Sequence, residues 1–303
     1  MSQLVKKIRT SAGDCQIDYN ALANLPTISN PNLLINSDFR NPVNQRGQTI
    51  YYGQATRGYA VDRWCMGAND FERSVEVVGG GVLITNPNTQ YVGTFQQVFE
   101  KALPQGDYTL SVKVASKTGT STMSCSGSHN STRKDLVVGI NTLTLSSATI
   151  NSFDIILNTN SSIKLEWAKL EVGTTATPFS PRPYAEEIAM CRRYFDIMGG
   201  TRVIGLEQDN VINTLAYAIP RNVLMARTPT ITIKGTTTQN STEGICIRDV
   251  MGNVIGGFTF TYSVRNWELL VTAKASSSVN KSCFETQLLI NDAFKICLDA
   301  EIY

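Results

Sequence analysis

The chain has 303 residues, 42% of them hydrophobic and 17% charged, a balance that excludes a disordered chain and leaves room for about two domains. A formal net charge of +2 is too small for phosphate attraction to dominate binding, so nucleic acid is not an expected partner. Membrane insertion is not expected either: no stretch approaches the roughly 20 apolar residues of a spanning helix, and MSQLVKKIRTSAGD lacks the apolar core of a secretory signal.

Residues 1–32 read as a unit of their own. VKKIR and CQIDY are short alternating pieces, too small to hold a core, and they need a partner surface such as another copy of the chain. From residue 33 the side chains alternate with the period of a half-buried strand. RGYAVDRWCM, FERSVEVV, GVLITN, TFQQVFE, NTLTLS and FDIILN are read as strands with Gly, Asn, Pro and Ser between them. The run Gly79, Gly80, Gly81 lies between VEVV and VLIT with no GK[ST] after it, which predicts a hairpin turn and not a phosphate cradle. In GDYTLSVKVAS, Tyr108, Leu110, Val112 and Val114 share one face, and Thr109, Ser111 and Lys113 the other. SIKLEWAKLEVG begins with Ile163, Leu165 and Trp167 in phase, but Leu170 and Val172 fall out of it. A β-bulge near Ala168 and Lys169 is expected to restore burial. Many short strands at this spacing predict an antiparallel sandwich or jelly roll over residues 33–180.

The period changes after TPFSPRP. PYAEEIAMCRRYFDIM places Tyr184, Ile188, Cys191, Phe195 and Met198 on one side of a helix. Pro183 suits its start, Glu186 and Glu187 its first turns, Arg192 and Arg193 its later part, and Gly199 and Gly200 its stop. Residues 181–200 are therefore read as a linker helix. Alternation returns over residues 201–303, in TPTITIKG, EGICIRDVMGNVIGGFTFTY, NWELLVTA, TQLLIN and FKICLDAEIY. DVMGN reads as a hairpin turn between GICIR and VIGG. In the last segment Phe294, Ile296, Leu298, Ala300 and Ile302 alternate with Lys295, Cys297, Asp299 and Glu301. The expected fold is thus mainly β: two antiparallel β-sandwich, jelly-roll-like domains joined by one short α-helix and preceded by a short amino-terminal segment.

Reactive groups are sparse. Seven cysteines are scattered singly, which predicts reduced thiols, no disulfide framework and no CxxC knuckle, hence no metal site. The single histidine, His129, sits in the Ser/Gly-rich SCSGSHNSTRK and is read as a loop residue. The adjacent Asp62 and Arg63 are read as a structural salt link beside the sheet, with no second carboxylate to make a glycosidase pair. No catalytic residue, metal or cofactor is expected, and the chain is read as non-enzymatic. Trp64 and Trp167 lie in buried phases and are assigned to the core. The candidate ligand-binding residues are Tyr51, Tyr52 and Tyr91, outside a clear buried phase, and Arg265, Asn266 and Trp267 at the start of a strand.

Several segments together resemble one family. IDYNALANLPTI resembles the recurrent YNxLxNxPxI segment near the attachment or shaft region of bacteriophage tail-fibre proteins. NLLINSDFRNPVNQRGQTIY followed by GYAVDRWCM is similar to the opening of a jelly-roll domain in many phage and prophage tail proteins. FQQVFEKALPQGDYTLSVKV resembles a strand pair that this domain shares with carbohydrate-binding modules. LEWAKLEVGTTATPFSPRPYAEEIAMCRRYFDIM is similar to the junction of those tail proteins, and IPRNVLMARTPTITI to a strand of their carboxy-terminal domain. The resemblance implies a virion protein of the distal tail, made in the bacterial cytoplasm and commonly a homotrimer. Its amino-terminal segment would meet other tail or baseplate proteins, and its outer domains would bind a host surface glycan or teichoic acid. With almost no shaft between Pro26 and Asn32, the chain would be a short tip or a baseplate-proximal receptor-binding protein. A purely structural baseplate or fibre-network protein and a glycan depolymerase are the alternatives.

Overall fold

The computed structural model describes residues 7–10, 13–16, 29–54, 56–68, 72–128, 132–199, 201–206, 211–221, 224–234, 245–249, 254–255, 258–265, 268–280, 285–290 and 294–301, some strand residues among them by backbone alone. The fold is mainly β with one short helix. Strands β1 (Lys7–Thr10) and β2 (Gly13–Gln16) pair antiparallel in a two-stranded sheet. A ten-stranded sheet follows, made of β3 (Ile50–Tyr52), β4 (Gly58–Val61), β5 (Trp64–Met66), β6 (Ser74–Val78), β7 (Gly81–Asn86), β8 (Gly93–Thr118), β9 (Ser121–Gly127), β10 (Arg133–Asp135), β11 (Gly139–Leu157) and β12 (Ser161–Val172).

β8 and β11 organise this sheet. Segments expected as separate strands, TFQQVFE and GDYTLSVKVAS, are the two ends of one 26-residue strand, and NTLTLS and FDIILN the ends of a 19-residue one. Pro104 and Gly106 bend β8 without ending it, and the β8–β11 register shifts between Leu145 and Ser152. The bend divides the pair into two arms. Residues 93–98 pair with 152–157 and carry β5 and β4 on one side, β9 and β10 on the other. Residues 108–114 pair with 139–145 and carry β12, β7, β6 and β3. Trp64, Phe95 and Phe153 from the first arm and Leu110, Val112 and Leu165 from the second are fully buried in one core. Trp64 is the centre of its arm. Its ring stacks on Phe95 with centroids 5.0 to 5.1 Å from Phe39 and Phe95, and its Nε1 donates to the Ile35 carbonyl at 3.1 Å.

Local readings hold in several places. Gly79 and Gly80 form the two-residue turn between β6 and β7, with Val78 opposite Gly81 and φ +75° at Gly80, a conformation that favours glycine. Tyr108, Leu110, Val112 and Val114 all point into the core. Their neighbours are not all in water, however: Thr109 and Ser111 are buried as well, and Thr109 donates to the Gly173 carbonyl. The expected bulge lies earlier than Ala168 and Lys169. Register shifts flank Leu165, between Lys164 and Trp167, and from Trp167 to Glu171 every residue is buried. Val172 is exposed, so the shift moves Leu170 inward but not Val172.

The buried charges of that stretch explain the junction. Lys169 and Glu171 pair at 3.1 Å, and Lys169 also donates to Ser29, Thr177 and Pro178. Burial works to raise the Glu171 carboxyl, yet hydrogen bonds from Thr177 and Lys169 outweigh it and hold it below its ordinary value. Phe179 stacks on Trp167 at 4.7 Å, and Arg182 donates to the Leu34 and Asn32 carbonyls. The TPFSPRP strap is thereby fastened along residues 29–38.

Helix α1 (Tyr184–Cys191) is shorter than the sequence predicts. Arg192–Tyr194 turn, and Phe195 and Met198, expected on the helical stripe, belong to strand β13 (Phe195–Met198). The competing partner is a sheet edge: β13 pairs with the last strand from Phe195↔Asp299 to Met198↔Ile296, which a longer helix would forbid. Tyr184 is exposed, while Glu187, on the face expected to be solvated, is buried and accepts from the Asn36 amide.

The remaining strands are β14 (Thr201–Leu206), β15 (Val211–Pro220), β16 (Thr230–Lys234), β17 (Ile245–Asp249), β18 (Val254–Ile255), β19 (Phe258–Arg265), β20 (Glu268–Asn280), β21 (Glu285–Ile290) and β22 (Lys295–Asp299). They form antiparallel sheets in the orders β13-β22-β16, β14-β21-β17-β18 and β15-β20-β19 around a second core that includes Tyr217, Ile247, Val271, Leu288 and Phe294. β17 and β18 are the arms expected on either side of DVMGN. Alternation fails at the end of β22: the strand stops at Asp299, and Cys297 and Glu301, expected to face outward, are both buried.

Glu301 is buried because it ties the two cores together. It accepts from the Arg63 side chain at 2.7 Å and from the Arg63 amide at 3.0 Å. Arg63, with φ +72°, also donates to the Val98 carbonyl and covers the Tyr194 ring at 3.7 Å. Asp62 turns the other way and pairs with Arg46 at 2.8 Å, and Arg46 lies 3.5 Å from both Asp299 and Glu301. The Asp62–Arg63 pair is thus not one salt link. The two residues bind opposite charges on different segments, within one buried network.

Candidate ligand-binding cleft

Strand pairing builds a polar row across the outward side of the first arm. Cys65 of β5 stands opposite Gln96 of β8, Gln96 opposite Asp154 of β11, Asp154 opposite Ser124 of β9, and Ser124 opposite Arg133 of β10. Directly opposed residues share a face, so five strands present these side chains together. One step along, Val98, Ser152 and Ser126 form the next row. The flanking Phe95, Met123, Phe153 and Ile155 point the other way into the core.

Apart from Cys65, these rows line a cleft of about 310 Å³, together with Arg57 ahead of β4 and Asn151 of β11. Its floor is already ordered: Ser126 and Ser152 share a hydrogen bond at 2.7 Å, and Ser152 donates to Asp154 at 2.8 Å. Asp154 is buried, and burial pushes its carboxyl up to about 6, although the Ser152 hydrogen bond and the charges of Arg57 and Arg133 pull it down. Burial also pushes the Cys65 and Cys125 thiols up to about 11, so neither is a thiolate at neutral pH. The cleft therefore offers hydroxyls, the amides of Gln96 and Asn151, two guanidinium groups and a carboxyl that takes up a proton near pH 6. Asp154 is its one carboxylate among the described residues. No cluster of three or more His, Cys, Asp or Glu able to hold a metal occurs among the described residues. Nor is any helix among them long and apolar enough to cross a membrane.

The tyrosines chosen from sequence do not line this cleft. Tyr51 is buried at 8% exposure, with its hydroxyl in the space left by the missing side chain of Gly58, and offers no open ring. Its neighbours Ile50 and Tyr52 face out, so the alternation of a short edge strand, β3, already encoded that burial. Tyr52 and Tyr91 are exposed at 61% and 65%, on β3 and ahead of β8. Arg265 ends β19 and is described by backbone alone, while Asn266, Trp267 and His129 lie outside the described residues. Trp64 and Trp167 are both buried, as their phases predict. The cleft residues carried a weak signal: Gln96, Ser124, Ser152 and Asp154 are the polar half of alternating segments. Only the strand order puts them side by side.

No protein-family model matches the chain, and no curated protein matches it either.

Proposed function

We propose that the chain is a non-enzymatic, glycan-binding protein at the tail of a bacteriophage or phage-tail-like particle. The cleft carries this reading. A preformed set of hydroxyl, amide and guanidinium groups on a sheet is the chemistry that recognises sugar hydroxyls, and among the described residues its lining holds one carboxyl where glycoside hydrolysis uses two. The resemblance of the amino-terminal and junction motifs to tail-fibre proteins supports the setting, and a mainly β body suits a protein that must stay folded outside the cell. Assembly as a homotrimer, through residues 1–32, would multiply weak single-site binding without any new contact. This segment would also meet other tail or baseplate proteins.

A glycan array probed with the purified chain tests the reading. Binding to envelope polysaccharide is expected, and Gln96→Leu together with Ser152→Val should reduce it about tenfold or more through unpaired sugar hydroxyls. An array silent where whole particles adsorb would sink the reading and favour a structural baseplate role. Polymer shortening on incubation would favour a depolymerase. Light scattering should give three times the monomer mass for the intact chain and a smaller particle without residues 1–30. Monomers in both cases would remove the trimer.

A further inference from the structure

We propose, resting on the glycan-binding reading, that the cleft takes an acidic saccharide whose carboxylate or phosphate group sits between Arg57 and Arg133. Other arginine heads are held by protein partners: Arg40 by Asp38, Arg46 by Asp62, Arg63 by Glu301, Arg182 by Glu187, Arg193 by Glu100, Arg221 by Asp196 and Arg73 by the Asn86 side chain. Arg57 and Arg133 differ. Among the described residues neither guanidinium makes a hydrogen bond or salt bridge to the protein, yet both line the cleft. They approach it from two sides, Arg57 ahead of β4 and Arg133 from β10 at the far end of the cross-strand row.

Both lower the Asp154 carboxyl through space alone, which places the two cations within electrostatic reach of the same point on the middle strand. With its carboxyl near 6, Asp154 is largely ionised at neutral pH and offsets one of the two charges. Two positive charges and one reluctant acid leave the cleft with a surplus of positive charge that a bound anion would meet. The planar fork of arginine suits carboxylate and phosphate oxygens, and the Ser124 hydroxyl and the Gln96 and Asn151 amides line the same cleft for the neutral hydroxyls of the sugar.

The experiment is an array carrying saccharides with and without their charge: oligogalacturonate against its methyl ester, sialyllactose against lactose, and polyglycerol phosphate against polyglycerol. Signal is expected on the charged member of at least one pair, weakening in high salt, with the carboxylate and phosphate pairs telling the two sources apart. Arg57→Gln and Arg133→Gln should each cut that signal about tenfold or more while keeping the wild-type melting temperature, because neither head holds the fold. Equal binding to both members of every pair, binding confined to neutral glycans, or unchanged binding by both variants would overturn the inference and leave the glycan-binding reading standing. Silence across the whole array, neutral glycans included, would remove the glycan-binding reading itself.

Discussion

Glu301→Ala is expected to destabilise the protein by about 3 to 5 kcal/mol, the cost of leaving a buried charge without its partner. Arg63 is 1% exposed and Glu301 is fully buried, so water cannot replace the lost carboxylate. The damage should spread, because Glu301 accepts from both the side chain and the amide of Arg63 and also faces Arg46. Arg63 in turn sits between the Val98 carbonyl and the Tyr194 ring. Urea unfolding followed by tryptophan fluorescence and by circular dichroism gives the test. In the variant the two signals should separate, as the carboxy-terminal strands melt away from the Trp64 core at lower urea. Glu301→Gln should fall between the two, since its amide oxygen can still accept from the Arg63 amide while the ion pair is gone. A Glu301→Ala protein that unfolds with the wild-type midpoint would show that this network does not hold the cores together.

The same network shows where the sequence is readable and where it is not. A fold dominated by strands, the hairpin at Gly79 and Gly80, and the burial of Trp64, Tyr108 and Leu110 follow from side-chain alternation, because alternation is itself the geometry of a pleated strand. The length of α1 does not follow, since helical spacing from Tyr184 to Met198 competes with a sheet edge at Ile296–Asp299, about a hundred residues further on. The burial of Glu301 is equally hidden: by period two it belongs on the outer face, and only the arrival of Arg63 from the other core draws it inward. The cleft is hidden for a related reason. Asp154, Gln96 and Ser124 are dozens of residues apart and become neighbours only through the antiparallel registers of β8, β11 and β9. Without that register the exposed-phase tyrosines are the visible candidates, and one of the three, Tyr51, packs inside.

Asp62 and Asp154 make the second expected result a contrast. Burial raises both carboxyls to about 6 from an ordinary 3.8. For Asp154 the sign follows directly. The folded protein holds this proton more tightly than the unfolded chain, so the stability it contributes is fully present below about pH 3.8, declines as the pH rises, and is gone above about pH 6. Asp154→Asn removes that loss while keeping an acceptor for Ser152. It should therefore stabilise the protein at pH 8 by about 2 to 3 kcal/mol and change little near pH 3.5. Asp62→Asn removes the same penalty but also takes from Arg46, at 2.8 Å and largely buried, its nearest carboxylate, so it should stabilise the protein at pH 8 by less than Asp154→Asn does. Melting temperatures of both variants across pH 4 to 8 separate the two cases. Destabilisation by Asp154→Asn at pH 8 would mean that contacts of the ionised Asp154 serve the fold and outweigh the cost of its burial. Stabilisation joined to weaker glycan binding would mean that the carboxyl is kept at a cost to stability, as a ligand-binding group is and a structural one is not.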